Sequence, residues 1–133
     1  MRREITNQFL SGWDNGNSNY ETEIAYDNQW FESDNYAEWV RLNIRFTDSI
    51  QESLGPFSFE RRGIVLIEVF VGNNIGVERR DELTFRVRDI FEGKRIIGID
   101  NGWFSPVFIN DRGVSDNWFE STIEAHFKVW ETK

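Results

Sequence analysis

The pattern of apolar and polar positions divides the chain into seven ordered stretches. Ile5, Phe9 and Leu10 recur at helical spacing with Trp13 one turn further, which predicts a short amphipathic helix over residues 2–12, stopped by Gly12. Residues 14–19 are a loop by composition, and residues 21–29 alternate weakly around Ile24 and Tyr26, predicting a first strand. The clearest period of two covers residues 39–47, with Val40, Leu42, Ile44 and Phe46 on one face and Trp39, Arg41, Asn43 and Arg45 on the other. Residues 64–71 are almost wholly apolar, with Glu68 their one charge, as expected of a central strand covered on both faces. Between these two strands, residues 48–59 contain Gly55 and Pro56, are too long for a tight hairpin turn, and are expected to project from the body.

Periodicity changes again at residues 77–92, where Leu83, Val87, Ile90 and Phe91 mark one helix face and Gly93 supplies the stop. Arg79, Arg80, Arg86 and Arg88 interleave with Asp81, Glu82, Asp89 and Glu92 on the remainder, the pattern of a solvated face with weak ion pairs. Residues 103–111 and 122–130 are two further strands joined around residues 111–117, and Ile123, Ala125, Phe127 and Val129 share a face of the second. The order α-β-β-β-α-β-β predicts one α+β domain over residues 1–133, a mainly antiparallel sheet with two helices packed on one face. Its other face, carrying Trp39, Arg41 and Arg45 together with His126, Lys128 and Trp130, would then show large aromatics to water, which points towards association.

Composition sharpens this. With 133 residues the chain has the size of a single domain, and without cysteine it is neither disulfide-stapled nor a thiolate metal site. The net charge is −8, with two basic and eight acidic groups in residues 1–38, so the acid is concentrated in the first third. Such a field disfavours tight non-specific binding of nucleic acid. Residues 1–13 lack the apolar core of a signal peptide, and no window approaches the ~18 apolar residues of a membrane span. A product made in the cytoplasm, with no membrane partner, is the expectation.

The search for chemistry finds little. His126 is the lone histidine; Glu124 is on its strand face and could orient it as a general base, but no nucleophile completes the arrangement, so a surface or interface histidine is expected. Asp14-Asn15-Gly16-Asn17 resembles a calcium loop only superficially, because the closing glutamate is out of place. Residues 72–76 carry two glycines between a strand and a helix without the lysine of a phosphate loop. Trp39, Trp103, Trp118 and Trp130 suit either a sugar-stacking platform, as in a carbohydrate-binding module, or a core or subunit seam, and the second is favoured. No catalytic, metal or cofactor site is assigned.

The middle of the chain carries a resemblance. Trp39-Val40-Arg41-Leu42, Gln51-Glu52-Ser53-Leu54-Gly55, Arg61-Arg62-Gly63, Val69-Phe70 with Gly72 and Gly76, and a helix closing on Arg88-Asp89-Ile90-Phe91-Glu92-Gly93 resemble the tail terminator (tail completion) proteins of lambda-like long-tailed bacteriophages. The resemblance implies a non-enzymatic virion protein of the tail or neck, assembled in the host cytoplasm without a cofactor. It implies a hexameric ring that caps the tail tube, ends its polymerisation, receives the head connector and lets DNA pass through its channel. A neck or head-completion subunit is the neighbouring alternative. Within this reading three groups are expected at interfaces: Ile50, Gln51, Glu52 and Leu54 in the projecting connection, Arg61 and Arg62 beside Gly63, and Arg79, Arg80 and Arg86 on the second helix. Acid concentrated before Trp39 is expected to line a lumen or surface.

Overall fold

Burial follows the apolar periods closely. The computed structural model describes residues 1–14, 23–26, 38–51, 58–72, 77–115 and 118–132. Helix α1 (Arg2–Asp14) places Ile5, Phe9 and Trp13 at spacings of four, all buried, and helix α2 (Val77–Phe91) buries Leu83, Val87, Ile90 and Phe91. Gly93, with φ of +67°, adopts the left-handed conformation just past α2, as a C-terminal stop requires. Gly12 does not stop α1, which runs two residues further. A Cβ there would lie 2.5 Å from Cγ1 of Ile90, so this glycine lets the two helices approach closely.

The strands are β1 (Glu23–Tyr26), β2 (Glu38–Gln51), β3 (Ser58–Gly72), β4 (Gly102–Phe104), β5 (Phe108–Ser115) and β6 (Trp118–Thr132). They form one mixed sheet in the order β1-β2-β3-β6-β4, with β5 pairing the same side of β6 as an extension of that edge. Only the β1–β2 pair is parallel. Both helices lie on one face, so the fold is the α+β arrangement that the periodicity predicts, and among the described residues no helix is long and apolar enough to cross a membrane.

Three details differ from the sequence pattern. The β2–β3 ladder continues through a bulge between Phe46 and Asp48, pairing Asp48 with Arg62 and Gln51 with Phe59, so both ends of the expected projecting connection, half of its residues, are strand. Its centre, residues 52–57, lies outside the described residues, as do 15–22, 27–37, 73–76 and 116–117. The stretch 103–111 is not one strand: Pro106, which has no N–H to donate, interrupts the ladder, although Ser105 N still donates to His126 O at 2.9 Å. Finally, β3 is central by hydrogen bonding but fully covered on one face only, the other being partly open along its middle. Val65, Ile67, Val69 and Val71 are buried beneath the helices, whereas Ile64, Leu66 and Glu68 face the other way and are partly open.

A chain of rings crosses the helix-side core. Trp13 stacks on Phe9 at 5.3 Å, Phe9 on Phe91 at 6.1 Å, Phe91 meets Phe104 edge-on at 4.8 Å, and Phe104 meets Phe127 at 6.1 Å. Phe127 then meets Phe46 at 5.9 Å, under the Arg2 guanidinium. These contacts tie α1, α2, β4, β6 and β2 together, each pair worth about 0.5–1.5 kcal/mol beyond its buried area. Gly63 makes room for the sequence of rings. A Cβ there would lie 2.2 Å from Cζ of Phe127 and 2.6 Å from the Arg45 carbonyl oxygen, and the latter is backbone that cannot swing away. Gly63→Ala is therefore expected to destabilise by roughly 1–3 kcal/mol, read as a lower urea midpoint with an unchanged slope.

Candidate interaction surface

The face of the sheet away from the helices is built from alternate residues of four strands. Across the register its rows are Trp39, Phe70 and Glu120; Arg41, Glu68, Thr122 and Asn110; Asn43, Leu66, Glu124 and Phe108; and Arg45, Ile64 and His126. Trp39 is buried, stacked on Phe70 at 4.0 Å and edge-on to Trp118 at 6.0 Å, with the Arg41 guanidinium over it. The expectation that this side would display Trp39 is thus corrected, because a small second core of Ala25, Trp39 and Phe70 covers it. Water instead meets the far edge. Trp103 is 43 %, Phe108 64 %, Ile109 39 % and Val114 63 % exposed, all on the β4/β5 edge.

Beside Phe108 runs a groove of about 530 Å³ lined by Thr47, Arg62, Ile64, His126 and Lys128 among others. His126 stands 3.4 Å from Glu124, with Phe108 edge-on at 5.5 Å, and both members of the pair are open to solvent. That is the surface position expected for this histidine. A second groove, about 710 Å³, runs along the contact of α1 with α2, and Phe85 and Ile97 on its walls are exposed. Among the described residues no cluster of three metal-ligating side chains occurs, and one tryptophan, Trp103, is exposed.

The arginines expected at interfaces are held within the chain. Arg62 Nη2 lies 2.8 Å from Glu60, which is buried and also faces Lys128 at 3.6 Å. Arg61 pairs with Glu131 at 3.2 Å. Arg79 donates to both carboxylate oxygens of Glu38, at 3.0 and 3.1 Å, and lies 3.1 Å from Glu82. Arg86 lies 5.8 Å over the Trp13 ring and lines the helix groove. Ile50 and Gln51 fall in β2 opposite Glu60 and Phe59, whereas Glu52 and Leu54 lie outside the described residues. The charge pattern of α2 misplaces Arg80. Far from sitting on a solvated face, it is 5 % exposed, its guanidinium 3.9 Å over the Phe119 ring and 3.4 Å from Asp111, while its Nε finds no hydrogen-bond partner among the described residues.

Side chains in the described set include fourteen lysines and arginines and fourteen aspartates and glutamates, so the whole net charge of −8 rests on the remaining nine acids and one lysine. Six of those nine are residues 14–34, and the acid expected to line a lumen therefore falls almost entirely outside the described side chains. The edge residues were missed in the sequence because exposure of one strand face has no local signature; Pro106 and Gly113 were the available signals of an edge strand.

No family model matches the chain, and no curated protein matches it. A solved chain with 13 % sequence identity superposes with a TM-score of 0.69, covering 97 % of this chain and 95 % of the other. That likeness is one of fold.

Arg80 also decides how the β5 edge is held. Because Asp111 is 59 % exposed, its ion pair is screened and Asp111→Asn is expected to cost less than about 1 kcal/mol. Arg80→Ala loses the desolvated stack on Phe119 and its packing, at roughly 2–3 kcal/mol. Urea denaturation of both variants checks the order; equal losses would place the energy in the ion pair.

Proposed function

We propose that the chain is the subunit of a phage tail terminator, a ring of six copies that caps the head-proximal end of the tail tube, stops its growth and offers a joining surface to the head connector. The observation that carries the reading is the exposed apolar edge of Trp103, Phe108, Ile109 and Val114 on a domain of 133 residues, with Trp103 and Phe108 on the open face and Ile109 and Val114 on the helix side, since large apolar side chains left open along a sheet edge mark a place of association. The motif resemblance supports the particular assembly: its Trp39-Val40-Arg41-Leu42, Arg61-Arg62-Gly63 and Val69-Phe70 segments fall on the two adjacent strands β2 and β3. A ring needs head-to-tail contact between two different patches, and association by such patches buries apolar area without requiring a catalytic residue.

In this reading the β2–β3 hairpin, with Leu54 at its centre in the sequence, reaches the tube or a neighbouring subunit. Native mass spectrometry over a concentration series is expected to give a sixfold species, and a strict monomer throughout would sink the proposal. Leu54→Asp should shift assembly to at least tenfold higher concentration while the far-ultraviolet circular dichroism and thermal midpoint of the monomer stay unchanged. Deleting the gene from its phage is expected to give abnormally long or headless tails; normal tails would refute a terminator.

A further inference from the structure

We propose that the ring is closed by strand addition, β5 of one copy pairing antiparallel with β1 of the next, so that six sheets become one. The inference rests on the ring reading and names its seam. The sheet ends in two different edges: among the described residues no strand pairs the outer side of β5 or of β1. An unpaired edge is a template for another strand, and a head-to-tail ring satisfies both edges at once.

Four features of the sheet make the two edges complementary. The first is direction: β1 runs parallel to β2, and each step through β3, β6 and β5 reverses it, so β5 runs opposite to β1. A rotated copy keeps the direction of β1, and the joint is antiparallel, which needs no crossover. The second is height. Tyr26, Leu42, Ile67, Ile123 and Ile109 form one continuous register row, and Glu23, Trp39, Phe70, Glu120 and Gly113 form another, so β1 and residues 109–113 of β5 stand level.

The third is side-chain character. Ile109 and Val114 lie on the helix-covered side of the sheet, where Ile24 and Tyr26 also pack towards the core, so the joint continues an apolar row. The fourth is charge. Arg112, exposed in the bulge between Asp111 and Gly113, has no ion pair among the described residues, while the sequence of β1 opens on an acid, Glu23. Bulges of this kind, here and at Phe46/Asp48, are the devices by which sheets curve towards closure.

The dimensions suit a channel. Five strand widths per copy at about 4.8 Å give ~24 Å, and six copies give a circumference of ~145 Å and a bore of ~45 Å between backbones, which strand tilt widens. The helices stand outside, where the circumference is larger, and the inner face carries Arg41, Arg45, Arg62 and Lys128 against Glu60, Glu68, Glu120 and Glu124, a balanced lining past which DNA slides without sticking.

The cysteine-free chain makes a clean test. Ile24→Cys or Tyr26→Cys is combined in one chain with Ile109→Cys or Val114→Cys, and the four double variants are oxidised and run on denaturing gels. A ladder ending at six copies in at least one of them, absent from each single variant, is the expected result. Ile109→Lys should raise the half-assembly concentration at least tenfold with the monomer's thermal midpoint unchanged, whereas Phe85→Lys, in the helix groove, should leave assembly as it was. Rings in negative stain that form no ladder in any of the four variants, or that are broken by Phe85→Lys and not by Ile109→Lys, overturn the seam and leave the ring reading standing. A single Val114→Cys or Ile109→Cys variant that cross-links to itself replaces the joint with a two-fold β5–β5 contact. A strict monomer overturns both.

Discussion

The run of stacked and edge-on rings from Trp13 to Phe46 is the contact on which the rest of the molecule depends. It gathers two helices and three strands onto one face of the sheet and draws on five of the twelve phenylalanines. With both helices held there, no third element is left among the described residues to cover the far edge of the other face. The exposure of Trp103 and Phe108 is thus a consequence of where the core sits, and it is what the proposed association would use.

Charge is organised to match. Arg62, Arg79 and Arg80 are matched within the chain by Glu60, Glu38, Glu82 and Asp111, and the described side chains hold as many acids as bases. A balanced body does not repel its own copies, and the net acid needed for solubility is carried by residues 14–34 together with Asp48, Glu52 and Asp116. Arg80 is the extreme case. Laid on Phe119 and 3.4 Å from Asp111, it ties α2 to β6 and, through a weaker screened pair, to the β5 edge that the proposed assembly uses.

How far the sequence could be read depended on how local each feature was. The row Val40, Leu42, Ile44 and the helix face Leu83, Val87, Ile90 were legible because each is a repeat within one element, and their burial obeys the repeat. The long β2–β3 ladder was only half legible, since Asp48 and Arg62 are polar and pair through backbone groups that leave no apolar signature. The candidate surface was the least legible part. Arg79 and Arg80 are adjacent in a similar charge pattern, yet one lies beside Glu38 near the surface and the other beneath Phe119.

By itself the sequence determined the element types, their order and the apolar face of each, because periods of 3.6 and 2 are set by backbone geometry within a few residues. The tertiary structure decided which strands became edges, which face of the sheet was left uncovered and which arginines were buried. Those outcomes depend on contacts between residues tens of positions apart, such as Gly63 with Phe127 and Arg80 with Phe119, and no local pattern encodes them.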